Sequence, residues 1–253
     1  LWLLYSSVVR AAGGSTFYSY GWESQLLETG FLCVFLCSPL QLRAPPTLAI
    51  LYLFRWLSFR ISLGAGLIKA RGGTCWAAKT CLHYHFETQP VPSPASFFFH
   101  FLPKWLLSRG VDVDLAVQLH TSWLVLVPGV GRVGRMVRRG AGATQALFMV
   151  MIALSGNFSI LNHLTILPAL ACLDDACWPR CFRPRPEQLA AARMTAPPRR
   201  RAGSRLRLLF DLALVALVAW LSRPVVSNLL QLGGRRQAMN ASFDPWKLVN
   251  TYG

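Results

Sequence analysis

The sequence predicts an all-α fold, a polytopic helical membrane protein with about four to six membrane segments. Three observations carry that prediction. Apolar residues fill 53% of the 253 positions and charged residues only 14%, too few polar groups to cover a soluble globule of this size. The apolar residues gather into runs approaching the ~20 residues needed to cross a hydrocarbon core of ~30 Å. The net charge of +16, from 26 Lys and Arg against 10 Asp and Glu, sits between those runs. Residues 174–207 hold nine arginines against three acids, Asp174, Asp175 and Glu187, and Arg132, Arg135, Arg138 and Arg139 form a second cluster. Basic loops flanking apolar runs are the membrane pattern, because Lys and Arg collect on the side that is not translocated. The composition excludes a long disordered chain and a collagen.

Taken in order, Leu1–Val9 reads as the end of an earlier apolar span, and Leu26–Leu42 as a marginal span with Glu28 near its start. Residues 45–70 are long enough to cross, but they carry Arg55 and Arg60. An arginine near the bilayer centre costs about 2.5–3.5 kcal/mol on insertion scales, so this helix needs a charge partner, an interfacial tilt or a non-spanning position. Residues 71–110 turn to Gly, Pro, His and aromatics and read as a loop, with a short aromatic helix around Phe97–Leu107 in the interface. Val113–Val130 is the next apolar candidate. Thr144–Leu173 is the longest run, either one tilted helix or a broken one, since it holds Gly156, Asn157 and Pro168. Residues 1–173 thus form a multi-span region and 174–207 an Arg/Pro-rich cytosolic loop. A membrane helix follows over 208–232, interrupted at Arg223–Pro224, and 233–253 starts a lumenal C-terminal region.

The arginines set the orientation. With 174–207 in the cytosol, the tail is lumenal and Asn240-Ala241-Ser242 is a usable glycosylation sequon, whereas Asn157-Phe158-Ser159 lies inside an apolar run. A single crossing by 144–173 puts Arg132–Arg139 on the lumenal side, against the charge rule. Either that region re-enters or the nine arginines outweigh the four; the second is the expectation.

Few residues suggest chemistry. Seven cysteines are an odd number and make no disulfide scaffold. Cys75 and Cys81 match neither a redox pair nor a zinc knuckle; a disulfide suits a lumenal loop and free thiols a cytosolic one. Cys177 and Cys181 read as free thiols open to palmitoylation. His83, His85 and Glu87 alternate on one face of an extended segment, a geometry for metal ligation or proton transfer and equally for a polar loop rim. Glu23 and Glu28 head an apolar run and are candidates for intramembrane ion pairing with Arg55 or Arg60. No phosphate loop, nucleophile elbow or metal-protease helix is present; no catalytic, metal or cofactor-binding residue is assigned, and no cofactor is expected. The arginine runs lack interleaved aromatics, so membrane lipids rather than nucleic acid are the expected partner. A membrane enzyme using the 75–87 loop and a transporter remain as alternatives.

Several strings resemble the lipase maturation factor family: GWESQLLETGF after Tyr20, Phe54-Arg55-Trp56, LGAGLIKARGG, Cys75-Trp76, and Thr80-Cys81 with HYHFETQPVPSP. SGNFSILNHLTILPALACLDDA from Ser155, AWLSRPVVSNLL from Ala219 and the final VNTYG complete the set. They stand in family order over most of residues 18–253, and GAGLIKARG and VVSNLL are closer to the first of two vertebrate paralogues. The resemblance implies a multi-pass protein of the endoplasmic reticulum membrane that helps dimeric lipases, such as lipoprotein lipase and hepatic lipase, fold, assemble and leave in active form. It implies a chaperone-like factor and not an enzyme, with nascent secreted lipases as partners. Family members also carry a large lumenal C-terminal domain, so this chain reads as a fragment without that domain or the N-terminal start.

Overall fold

The computed structural model describes residues 1–12, 16–18, 20–37, 45–179, 181, 183, 187, 201–232 and 236–252, and of 17 and 201–204 the backbone alone. The elements in chain order are α1 (Trp2–Ala11), α2 (Gly21–Val34), α3 (Leu48–Gly72), α4 (Thr74–Ala77), α5 (Leu82–His85) and α6 (Ser96–His100). They continue with α7 (Lys104–Ala116), a π-helical turn (Val117–Thr121), α8 (Ser122–Leu124), α9 (Gly131–Ser155), α10 (Ile160–Leu170) and α11 (Arg201–Leu229). No strand forms among the described residues; the extended pairings there are two isolated bridges, Pro92 with Asn157 and Ser242 with Asn250.

Helix α3 is the axis of the bundle. The Thr47 hydroxyl caps it by accepting from the Ile50 N–H. It packs against α2, α7, the π turn, α8, α10 and α11. Among the described residues two helices are long and apolar enough to cross a membrane: α3, with 61% of its apolar window buried, and Arg205–Leu229 of α11, with 22%. The first is therefore the core helix and the second a peripheral one. Leu53, Phe54, Leu57 and Ile61 of α3 meet Leu214, Val218, Val225 and Leu229 of α11 in the main apolar cluster.

Side-chain contacts fix the helix directions. Arg207 donates to the Pro45 carbonyl at one end (2.7 Å) and Arg71 to the Leu229 carbonyl at the other (2.8 Å), so α3 and α11 run parallel. Phe35, just past α2, meets Phe210 near the start of α11, which sets α2 antiparallel to both. The run from α7 to α8 is antiparallel to α3, with Lys69 on Asp114 near one end and Phe59 against Trp123 near the other.

The apolar run 144–173 is broken rather than continuous. Helix α9 stops at Gly156, the Ser159 hydroxyl caps α10 by accepting from the Leu161 N–H (3.2 Å), and α10 packs back along α9. Arg138 and Arg139, low on α9, both pair with Asp174 just beyond α10. The two ends of this hairpin therefore coincide, and Arg132–Arg139 lies at the same end of the bundle as the start of the 174–207 loop. The expected conflict between the two arginine clusters disappears, because the region returns to the side it came from. Asn157 accordingly sits at the hairpin turn and not within a span. The opposite end is closed by the 71–103 segment, where Ser93 donates to the Gly156 carbonyl and the Phe158 N–H to the Val91 carbonyl.

Other boundaries also move. The aromatic helix over 97–107 is split: α6 ends at His100, and Pro103, which lacks an N–H, starts α7. Helix α11 runs unbroken through Arg223–Pro224, where an interruption was expected, and ends at Leu229 rather than at 232. Most of the Arg/Pro-rich loop, and residues 38–42 at the end of the first apolar run, fall outside the described residues.

The hairpin depends on Gly142, where a Cβ would lie 2.9 Å from the Ala169 carbonyl oxygen and collide with Cys172. Gly142→Ala is expected to destabilise the chain by about 1–3 kcal/mol through overpacking. At Gly140 a Cβ meets nothing within 4 Å, and Gly140→Ala should be neutral or stabilising by up to about 1 kcal/mol. Thermal unfolding of the two variants in detergent checks the opposite signs.

Candidate functional site

The buried face of α2 carries Ser24, Gln25, Glu28 and Thr29 at helical spacing, while Leu26 and Val34 face outward. The buried face of the helix is mixed, since Leu27 and Leu32 are buried beside these polar residues. Its polar stripe meets the arginines of α3. Arg55 and Arg60 are both about 2% exposed and point into the bundle rather than toward its surface.

Glu28 and Arg60 form the central ion pair, with side chains 1% and 2% exposed. The carboxylate Oε1 takes Arg60 Nη2. Its Oε2 accepts from the Asn250 backbone N–H and Nδ2, both at 3.0 Å, and from the Tyr252 hydroxyl at 2.7 Å. Arg60 Nη1 donates in turn to the Asn250 carbonyl at 2.7 Å. Asn250 also donates to the Lys247 carbonyl and accepts from Ser242. Burial and the Glu28 charge push the Tyr252 phenol well above its ordinary pKa, so it stays protonated and remains a donor. Val249, Asn250, Thr251 and Tyr252 are all buried, so the C-terminal segment is drawn into the bundle as a plug. Gly64 admits it: a Cβ there would collide with the Tyr252 carbonyl.

The other two candidates for pairing take different partners. Glu23 accepts from the Tyr5 hydroxyl of α1. Arg55 donates from Nε to the Ala171 carbonyl at 2.9 Å and lies over the Tyr52 ring. The Arg138–Asp174 contact is an ion pair that hydropathy did not signal; Arg138–Arg139 before the apolar run 144–173 and Asp174–Asp175 directly after it were its available clue. Asn250, Tyr252 and Gly64 were likewise not singled out as site residues, although VNTYG and GAGLIKARG stood among the quoted strings.

In the 71–103 segment, Cys75 and Cys81 are joined in a disulfide. Lys79 pairs with Asp112 at 2.7 Å, tying the disulfide loop to α7. The H-x-H-x-E alternation does not form an extended face, because residues 82–85 make a helical turn. His83 lies near the Lys104 carbonyl (3.3 Å), His85 bonds to Gln89, and Glu87 faces His100 at 3.9 Å. Burial first, then the nearby Lys69, hold His85 below the ordinary histidine range. Among the described residues no three His, Cys, Asp or Glu side chains converge as a metal site. Both thiols are consumed in the disulfide, and His83, His85 and Glu87 each take a different partner. Asn240 is exposed in its sequon, with its side chain over Gly21. Cys177 and Cys181 are free and exposed.

Removing one charge of a buried pair leaves the other uncompensated, at about 3–5 kcal/mol. Glu28→Leu and Arg60→Met are therefore each expected to lose most of the folded protein. The double variant Glu28→Leu, Arg60→Met should recover part of the loss, and a double-mutant cycle on thermal stability measures the coupling.

Comparison with known proteins agrees with these features. Residues 1–180 match the family model described as the lipase maturation factor transmembrane domain. The chain is 46% identical over 267 aligned residues to lipase maturation factor 1 of Bos taurus, covering 100% of this chain and 46% of that protein. Identity to lipase maturation factor 1 of Homo sapiens is 43% over 265 residues, covering 100% of this chain and 45% of that one. Lipase maturation factor 2 of Mus musculus is 34% identical over 242 residues, covering 87% of this chain and 32% of that protein. The chain thus spans less than half the length of these curated relatives. No solved structure matches it. From the family model and from relatives aligned over its full length, the chain belongs to the lipase maturation factor family.

Proposed function

We propose that this chain is the membrane-embedded part of a maturation factor of the endoplasmic reticulum, assisting the folding, assembly and secretion of active dimeric lipases such as lipoprotein lipase. The observation that carries the reading is the full-length alignment with relatives named lipase maturation factor 1. The apolar exterior and polar, ion-paired interior support its membrane setting. The factor is a non-catalytic helper in this reading. Its bundle anchors and orients the parts of the full-length protein that handle the nascent lipase.

The helix directions suggest a topology. With both arginine clusters in the cytosol, α3 and α11 each run from cytosol to lumen and α7–α8 runs back. The α9–α10 hairpin enters from the cytosolic side and returns there. Helix α2 completes a bundle within the four to six segments expected. Helix α10, with 11 residues, is about 16 Å long and too short to cross a core of ~30 Å alone. The 71–103 segment and the tail are then lumenal, where the Cys75–Cys81 disulfide persists in an oxidising compartment and Asn240 is open to glycosylation. The exposed Phe97, Phe98, Phe101 and Trp105 are suited to the lumenal interface.

Two measurements test these statements. In microsomes, endoglycosidase should shift the wild-type chain but not Asn240→Gln, and maleimide–polyethylene glycol should label Cys177 or Cys181 from the cytosolic side without prior reduction; the opposite pattern inverts the topology. For the function, cells lacking the endogenous factor are given the full-length protein and assayed for secreted lipase activity. Rescue is expected, and activity no higher than in empty-vector cells refutes the role.

A further inference from the structure

Beside the ionic cluster, where Trp56 lies under Arg60, α3 and α11 form an open furrow. It has a volume of about 670 Å³ and is walled by Ala49, Tyr52, Trp56, Val215, Val218 and Ala219, among others. Its walls are almost wholly apolar. The polar groups gather toward one end, where Ser222 accepts from Trp56 Nε1 and Arg223 also lines the cavity.

Arg223 is the unusual member. It is exposed, lies over the Trp220 ring at 4.7 Å, and has no acidic partner among the described residues. An unpaired arginine in an apolar helix is costly unless its guanidinium reaches the headgroup region. Six residues separate it from Leu229, the end of α11, a rise of about 9 Å, which puts the guanidinium within reach of the headgroup layer when α11 spans. A phosphate diester there satisfies it, and the chain attached to that phosphate has the furrow to lie in.

Apolar walls beside a lone cation favour a lipid. The lining residues on α11 run from Val215 to Val226 and Ser227, about 18 Å along the axis, and this apolar length with Arg223 beside it matches the tail and the charged head of one lipid molecule. With no acid beside it, Arg223 favours a headgroup of net negative charge over one whose phosphate is already balanced by its own ammonium.

We propose that the furrow between α3 and α11 is a specific site for one anionic phospholipid, its phosphate held by Arg223 and an acyl chain lying along Trp56 and Ala219. The proposal rests on the membrane-embedded reading above. It adds a defined lipid site to the general expectation of a lipid environment.

The test uses the full chain, purified in non-ionic detergent, delipidated, and titrated with phosphatidylserine or phosphatidylcholine under native mass spectrometry. The wild type should bind one phosphatidylserine in preference to phosphatidylcholine. Arg223→Gln, at an exposed position, should weaken phosphatidylserine about ten- to hundredfold, the range for loss of a charged hydrogen bond, and abolish the preference. Ala219→Phe, which fills the furrow, should remove both lipids, and unchanged melting temperatures confirm that the variants fold. Equal phosphatidylserine binding by wild type and both variants overturns the site, as does a stoichiometric polypeptide cross-linked from position 219. Alkaline carbonate extraction separates this from failure of the underlying reading: release of the wild-type chain from membranes refutes membrane embedding itself, whereas retention together with unaltered lipid binding refutes only the site.

Discussion

Everything in this bundle is arranged around the need to place Arg60 in a low-dielectric interior. A guanidinium at the depth of a spanning helix is tolerated only when it faces protein and finds both a counter-charge and acceptors. Glu28 supplies the charge, the Asn250 carbonyl supplies an acceptor, and Asn250 and Tyr252 occupy the carboxylate oxygen that Arg60 leaves free. Because two helices and a tail segment must converge on one point, their relative depth is set to within a hydrogen-bond length. Apolar packing alone does not do this, since helices with lipid-like surfaces slide past one another at little cost.

The same logic is repeated at the arginine-rich end. Arg55 takes the Ala171 carbonyl, Arg138 the Cys172 carbonyl, and Arg138 with Arg139 holds Asp174. Carbonyls left free at the end of α10 are thereby satisfied by cations, a favourable match with the helix dipole. The edge-to-face contact of Phe59 and Trp123, ring centroids 4.7 Å apart, and the Ser62–Gln145 hydrogen bond fill the levels between. Gln145 also donates to Val117, a carbonyl in the π turn, where helical pairing is altered.

Composition and charge placement made the all-helical, membrane-like character legible, because both are sums over many residues and tolerate local error. Arg55 and Arg60 were legible as residues in need of partners, since a charge in an apolar run is conspicuous. Glu28 stood among the candidate partners of Arg60 and pairs with it, but that Arg60 also draws on residue 250, and Arg55 on a backbone carbonyl, no side-chain pattern reveals. Gly156 and Asn157 marked a break in the long apolar run without stating that the chain doubles back, since direction depends on the close approach at Gly142. The His83–His85–Glu87 alternation was too short to define a period, and the local helical turn overrode it. At Pro224 the surrounding apolar helix carried through a residue that ordinarily ends one.

The tail plug also bears on when this protein can become whole. Arg60 and the Asn250 carbonyl that completes its coordination are 190 residues apart in the chain. At about 5–20 residues per second, a ribosome needs roughly 10–40 s to make that interval. Until residue 250 is made, Glu28 Oε2 and Arg60 Nη1 lack the partners that they take from Asn250 and Tyr252. The polar core is thus closed by a segment that is synthesised long after the two helices it joins.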